Sequence, residues 1–342
     1  MGDILHALPA VTALRIAHPD WVIDWVAEPK WRALLSAHGA DGRDTGASEA
    51  RQPVVDAVLL VPSKQWGQHP FASRTIREVR TLRRTLRMTR YDAAIDFQGA
   101  VRSAAFAHFA ACRLIGEAKP REWAARWLFT ERVATKGAHV IEQDYELASA
   151  IAGDKLQCVH PWLPVDPKAE AWADDLLASS ATQPVVLINP GAGWGAKRWP
   201  IERYAAVARE LVSRGRRVLV NAGPGEEPIA SVIVEATQGA ATLLSPSLEN
   251  LIAVTRRVDL VIAGDTGPLH LACALGKPVV GIYGPTDPSR NGPFGTRFKV
   301  LRHPASVRDH ARREAPEAGL LTIQPEDVLA AVEELLHPQA AR

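Results

Sequence analysis

Cysteine is scarce in this chain of 342 residues: there are three, Cys112, Cys158 and Cys273. They are odd in number and show no C-x-x-C spacing, which excludes a disulfide framework or thiolate metal knuckle and fits a reducing compartment. No apolar run approaches the roughly 20 residues of a membrane-spanning helix. Neither sign of charge dominates, because the formal net charge is only +2, so no large field marks nucleic acid as a partner. There is no G-x-G-x-x-G at a strand–helix turn with an acid ~20 residues on, which argues against a nicotinamide-dependent oxidoreductase. Short-period repeats and low-complexity tracts are also missing. These absences lead to the expectation of a soluble, cytoplasmic chain, at most peripheral to a membrane.

What is present is concentrated at strand ends. The apolar run Val258 to Ala263 predicts a buried strand, and Gly264-Asp265-Thr266-Gly267 then opens a helix. Free backbone N–H groups and the positive end of a helix dipole converge at such a turn, which suits a phosphate or diphosphate, although Asp-Thr-Gly also makes an ordinary helix cap. A second strand, Pro278 to Tyr283, runs into Gly284-Pro285-Thr286-Asp287-Pro288. Three further segments share this character: Gly2-Asp3-Ile4-Leu5-His6 at the start, Asn189-Pro190-Gly191-Ala192-Gly193 leading to Lys197-Arg198-Trp199-Pro200, and Ala222-Gly223-Pro224-Gly225-Glu226.

Taken together and in this order, these segments resemble the signature of the heptosyltransferase family, whose members move heptose from ADP-heptose onto the lipopolysaccharide core. The resemblance covers nearly the whole chain and is nearest the heptosyltransferase I branch, to which Tyr91 to Gly99 and Arg121-Glu122 are also similar. Each segment alone is a weak signal, and the ordered set is specific.

Strand and helix signals alternate throughout, which predicts parallel sheets with right-handed crossovers. Strands are expected at Trp21–Val26, Val54–Val61, Tyr91–Asp96 and Arg113–Ile115, then at Val185–Asn189, Val218–Asn221, Thr242–Leu244, Leu260–Ala263 and Val279–Ile282. Helices are expected at Ala10–Ala17, Ser73–Thr89 and, amphipathically, Pro325–Leu336. The proline-punctuated segment Pro161 to Pro167 marks the boundary. The expected fold is α/β: a Rossmann-like domain over residues 1–165 that receives the acceptor, and a second over 166–342 that binds the ADP-sugar. The resemblance implies the GT-B arrangement, two such domains facing across a cleft. A doubly wound domain calls for a buried strand just ahead of Gly2, so the expectation is that this start lies downstream of the true one rather than that the domain lacks its central strand. The Met-Gly start is no myristoylation signal, because His6 stands where Ser or Thr is required.

The resemblance implies an inverting transfer with Asp3 as the base that deprotonates the acceptor hydroxyl. On residue chemistry alone, Asp3 also fits a cap for a helix beginning near Ile4. Many glycosyltransferases hold a divalent metal through D-x-D, yet no two aspartates here have that spacing. Metal-free departure of ADP is expected, with Lys197 and the N–H groups of Thr266 and Gly267 holding its charge, and with no cofactor. The ADP-sugar donor is assigned to Ala192, Gly193, Lys197, Glu226, Leu248, Asp265, Thr266, Gly267 and His270, Glu226 taking the ribose hydroxyls. His270, one helical turn past Thr266, is either a diphosphate ligand or a buried structural histidine.

The implied acceptor is the anionic Kdo-lipid A inner core, assigned to His6, Lys64, Gln98, Arg121 and His139. An inner-membrane surface is expected as a peripheral partner. Seven arginines from Arg74 to Arg90 share one helix with Ile76, Val79, Leu82 and Leu86, which reads either as docking to anionic headgroups or as a solvated face above a core stripe. Trp123 and Trp127, four apart, are expected in the core. A heptosyltransferase II, another ADP-sugar transferase and a non-catalytic nucleotide-binding protein remain as alternatives.

Overall fold

The structure, a computed structural model, describes residues 1–37, 53–178, 182–309 and 313–337. The chain divides into two compact units, His6–Pro164 and Val165–Arg342, the latter including Met1–Leu5.

The second unit is built on one six-stranded sheet. Its strands are β6 (Val185–Asn189), β7 (Arg217–Asn221), β8 (Thr242–Leu244), β9 (Leu260–Gly264), β10 (Val279–Tyr283) and β11 (Phe298–Arg302). They lie in the order β11-β10-β9-β6-β7-β8 and every pairing is parallel. Counted from β6, this is the doubly wound order 3-2-1-4-5-6, which reverses direction between β6 and β9. Helices α6 (Pro167–Leu177), α7 (Ile201–Ser213), α8 (Glu227–Ala236), α9 (Leu248–Arg257), α10 (Gly267–Ala274), α11 (Pro288–Asn291) and α12 (Pro325–Leu336) connect or follow the strands. Both faces of the sheet are covered, so the interior strands are apolar along their length: every residue of β6, β9 and β10 is buried. Trp199, its Nε1 donating to the Ile323 carbonyl at 3.1 Å, packs edge-on against Tyr204 within this core.

In the first unit the parallel strands fall into two separate sheets. Among the described residues β1 (Asp24–Ala27) pairs only with β2 (Ala57–Leu60), and β3 (Ala93–Asp96) and β5 (Glu131–Val133) flank β4 (Arg113–Glu117). Helices α1 (Gly2–Ala17), α2 (Ser63–Gln68), α3 (Ser73–Thr89), α4 (Val101–His108) and α5 (Val140–Ala152) complete it. α1 begins at Gly2, earlier than either Ile4 or Ala10, because residues 5–15 are buried on every side and the helix continues across Pro9. Asp3 therefore lies in the first turn and is no N-cap. At its other end the buried Arg15 pairs with Asp56 at 2.5 Å and donates to the Trp21 carbonyl at 2.6 Å, tying α1 to the segments entering β1 and β2.

Trp123 and Trp127 overturn their core assignment. They sit on a short 3-10 turn, Trp123–Trp127, and are 61% and 68% exposed. The turn buries Ala125 instead, since a 3-10 helix does not align residues four apart on one face.

Candidate functional site

The carboxyl ends of β6 and β9, where the strand order reverses, are where a doubly wound sheet offers a crevice for a ligand. β9 ends in Gly264, and Thr266 takes the extended N-cap conformation ahead of α10. Pro268 contributes no N–H, so the first turn of α10 offers donors from the residues around it, at the positive end of the helix dipole. Beside it, the 3-10 turn Gly195–Lys197 follows β6 and is held down by the Ala196 N–H donating to the Arg313 carbonyl at 2.9 Å.

From that turn the Lys197 ammonium pairs with the Asp265 carboxylate; the two side chains are only 10% and 9% exposed. His270 Nε2 lies 3.3 Å from the other Asp265 oxygen, and the Trp194 ring lies beneath the ammonium at 4.2 Å. Burial alone pushes the Asp265 carboxyl upward, but the His270 hydrogen bond and the His270 and Lys197 charges outweigh it and hold the group far below the usual carboxylate range. The site thus keeps a buried cation at a helix N-terminus, an arrangement that can receive a diphosphate and stabilise charge developing on it.

Five of the donor assignments, Lys197, Asp265, Thr266, Gly267 and His270, lie at this strand end. Thr266 Oγ1 is 3.4 Å from Asn189 Nδ2, and Asn221 Nδ2 donates to Asn189 Oδ1 at 2.6 Å, so the ends of β9, β6 and β7 are laced together. Glu226 caps the next crevice over: its carboxylate accepts from the Gly223 N–H at 3.0 Å and lies where a Cβ on Gly191 would sit, 2.1 Å from Oε2. Ala192 is buried and Gly193 exposed on the same loop, while Leu248 opens α9 beyond β8. Met1 also reaches the site, because a Cβ on Gly267 would lie 2.4 Å from its sulfur. Gly2 lies against the His270 ring, and Asp3, next in sequence, is exposed.

The acceptor assignments form smaller groups. Gln98 and Arg121 come together at the ends of β3 and β4, where the Glu122 N–H donates to the Gly99 carbonyl at 2.8 Å. His6 and His139 meet edge-to-face at 6.0 Å, both buried, with His139 Nδ1 accepting the Ile141 N–H as part of the cap of α5. Lys64 stands apart and exposed on α2, its backbone N–H bonded to Glu28.

Sequence reasoning did not single out Asn189, Asn221, Trp194 or Asp96 as site residues. The asparagines carried a readable signal, since each follows a run of buried apolar residues at the end of its strand. Asp96 ends β3 in the same way; its Oδ1 accepts from the Gln98 and Gly99 N–H groups, and burial pushes its carboxyl upward. Among the described residues, no group of three His, Cys, Asp or Glu side chains is placed to hold a metal ion.

A doubly wound sheet with a cation and a helix N-terminus at its switch point defines an α/β protein with a crevice suited to an anionic ligand at that edge. The sequence profile of glycosyltransferase family 9 (heptosyltransferase) matches residues 79–320. Lipopolysaccharide heptosyltransferase 1 of Escherichia coli K12 is 29% identical over 310 residues, 89% of this chain and 91% of that protein. Lipopolysaccharide heptosyltransferase 2 of the same strain is 26% identical and covers 100% of this chain and 97% of its own. The solved structure of E. coli heptosyltransferase WaaC with ADP superposes with a TM-score of 0.78 at 26% identity, covering 98% of this chain and 97% of that one. The chain belongs to glycosyltransferase family 9, the heptosyltransferases; it is a glycosyltransferase of the GT-B class.

Proposed function

We propose that this chain is an inverting, metal-independent heptosyltransferase I, which transfers heptose from ADP-heptose to the Kdo-lipid A inner core at the cytoplasmic face of the inner membrane. The observation that carries this reading is the Lys197–Asp265–His270 cluster at the start of α10.

Asp3 takes the proton of an acceptor hydroxyl, whose oxygen attacks the anomeric carbon of the heptose from the side opposite the diphosphate. The bond from that carbon to the β-phosphate oxygen breaks, and the electron pair leaves on ADP. Lys197 and the N–H groups around Thr266 and Gly267 stabilise that charge where a metal ion would otherwise do so. Ala192 and Gly193 line the diphosphate, Glu226 accepts from the ribose hydroxyls, and Leu248 contacts the adenine. Arg121, Gln98, His6, Lys64 and His139 receive the anionic acceptor sugars.

Heptosyltransferase II is the second reading, because the two E. coli relatives are similar to the chain to nearly the same degree. The experiment is to incubate the purified chain with ADP-heptose and either Kdo-lipid A or its singly heptosylated product. Release of ADP with a gain of one heptose on Kdo-lipid A supports heptosyltransferase I. Transfer only to the heptosylated acceptor selects heptosyltransferase II, and transfer to neither leaves a nucleotide-binding protein.

A further inference from the structure

The whole chain carries a net charge of +2, yet residues 73–90 hold seven arginines against a single acid, Glu78. Glu78 is spoken for, accepting from Arg74 Nε and Trp66 Nε1, each at 2.8 Å. The rest of the positive charge on α3 faces away from the core. Thr75, Leu82 and Leu86 are buried, and Arg77, Arg80, Arg84 and Arg87, spaced three, four and three apart, form the opposite stripe, all exposed.

α3 does not stand alone. Its buried side shares a cluster with Phe106 of α4, while Ala104 and Ala107 of α4 pack in a second cluster with Ala125 and Leu128. α4 therefore lies between α3 and the turn Trp123–Trp127, and the three make one layer over the strands. The exposed groups of these elements are the arginine stripe, Trp123, Trp127 and, ahead of α3, Phe71, which is 90% exposed. Arg126 lies 5.4 and 5.7 Å from the two tryptophan rings.

We infer that this layer is a docking surface for a bilayer containing anionic phospholipid. Guanidinium groups in a row meet headgroup phosphates, and exposed tryptophans are the side chains that settle at the boundary between headgroups and acyl chains. Single-stranded nucleic acid fits less well, because the two tryptophans stand at 84° to each other and offer no parallel rings for successive bases. The inference rests on the reading that the acceptor is anchored in a membrane, and it adds the face by which the enzyme reaches it.

The test measures partitioning of the full chain onto phosphatidylcholine vesicles with and without phosphatidylglycerol. Binding is expected only with the anionic lipid, and to weaken as salt rises. Arg77→Gln, Arg80→Gln, Arg84→Gln and Arg87→Gln combined should lower the partition coefficient by roughly 600-fold, about fivefold per arginine, with unchanged circular dichroism. The four Arg→Lys replacements should retain binding. Trp123→Ser with Trp127→Ser should abolish quenching of the chain's fluorescence by brominated acyl chains. Heptose transfer to a soluble, lipid-free acceptor should match the parent in all three variants, which separates failure of docking from failure of the catalytic reading. Equal binding to neutral vesicles, parent-like binding by the four-glutamine variant, or tighter capture by an oligonucleotide than by anionic vesicles overturns the inference.

Discussion

The Lys197 ammonium and the Asp265 carboxylate meet across 68 positions of sequence, one from the turn after β6 and the other from the turn after β9. Two strands that are neighbours only because the sheet reverses its winding at this point thus deliver opposite charges into one enclosure. In the proposed mechanism a diphosphate competes with Asp265 for this cation, and His270 is placed to hold the carboxylate.

Removing one partner leaves the other buried without compensation. Asp265→Ala should destabilise the chain by about 3–5 kcal/mol, read as a loss of melting temperature. Lys197→Ala added to it should recover part of that loss, so the double variant melts higher than Asp265→Ala alone. Additive losses would show that the two charges do not depend on each other for stability.

At Gly267 the first turn of α10 has no Cβ and Met1 lies against it. Gly267→Val should weaken ADP binding in calorimetry by roughly 1–3 kcal/mol, while the melting temperature stays within a few degrees of the parent. Parent-like affinity would place the nucleotide elsewhere.

Asp3→Asn should cut turnover by on the order of 100-fold or more with donor affinity nearly unchanged. The exposed position of Asp3 makes a folding defect an unsuitable explanation for such a loss. Turnover near the parent's would remove Asp3 from the role of base.

Asp96 and Asp265 predict opposite responses to pH. Asp265 titrates below its unfolded value, so its contribution to stability is complete above the ordinary carboxylate range and is lost as pH falls toward the folded value. Asp96 titrates above its unfolded value because of burial, so it costs nothing in acid and its penalty grows as pH rises through the folded value. Asp96→Asn, which keeps the acceptor for the Gln98 and Gly99 N–H groups, should therefore raise the melting temperature at pH 8 and make little difference at pH 4. A gain that is larger in acid would contradict the assignment.

Chelation by EDTA should leave the transfer rate unchanged, because Lys197 and the start of α10 take the place of a cation in the proposed mechanism. A rate that collapses and is restored by magnesium or manganese would require ligands not assigned here.

Most of the second unit was legible because its central strands are short, largely apolar runs that end at turns rich in glycine and proline. β6, β9 and β10 and the residues that follow them could be read directly, and the switch point then brought Lys197, Asp265, Thr266 and His270 together. β11 was not foreseen: Phe298-Lys299-Val300-Leu301-Arg302 pairs on one side only and tolerates charge, so it lacks the apolar signal. β5, with Glu131 and Arg132 in three residues, escaped for the same reason. In the first unit Trp21 to Ile23 imitate a strand but only lead into β1, and the Arg15–Asp56 pair joins residues 41 apart that no local pattern connects. The tryptophans of the 3-10 turn were misplaced because spacing of four means a shared face only on an α-helix.

The enclosure of β6 and β9 at the centre of their sheet governs how their backbone meets solvent. β6 and β9 are bonded on both sides and sealed from solvent, so their amide protons exchange with deuterium only through cooperative opening of the whole sheet. β11 pairs with β10 alone among the described residues and is partly exposed, so its amide protons exchange through small local excursions, and protection should fall from β9 outward across the same sheet.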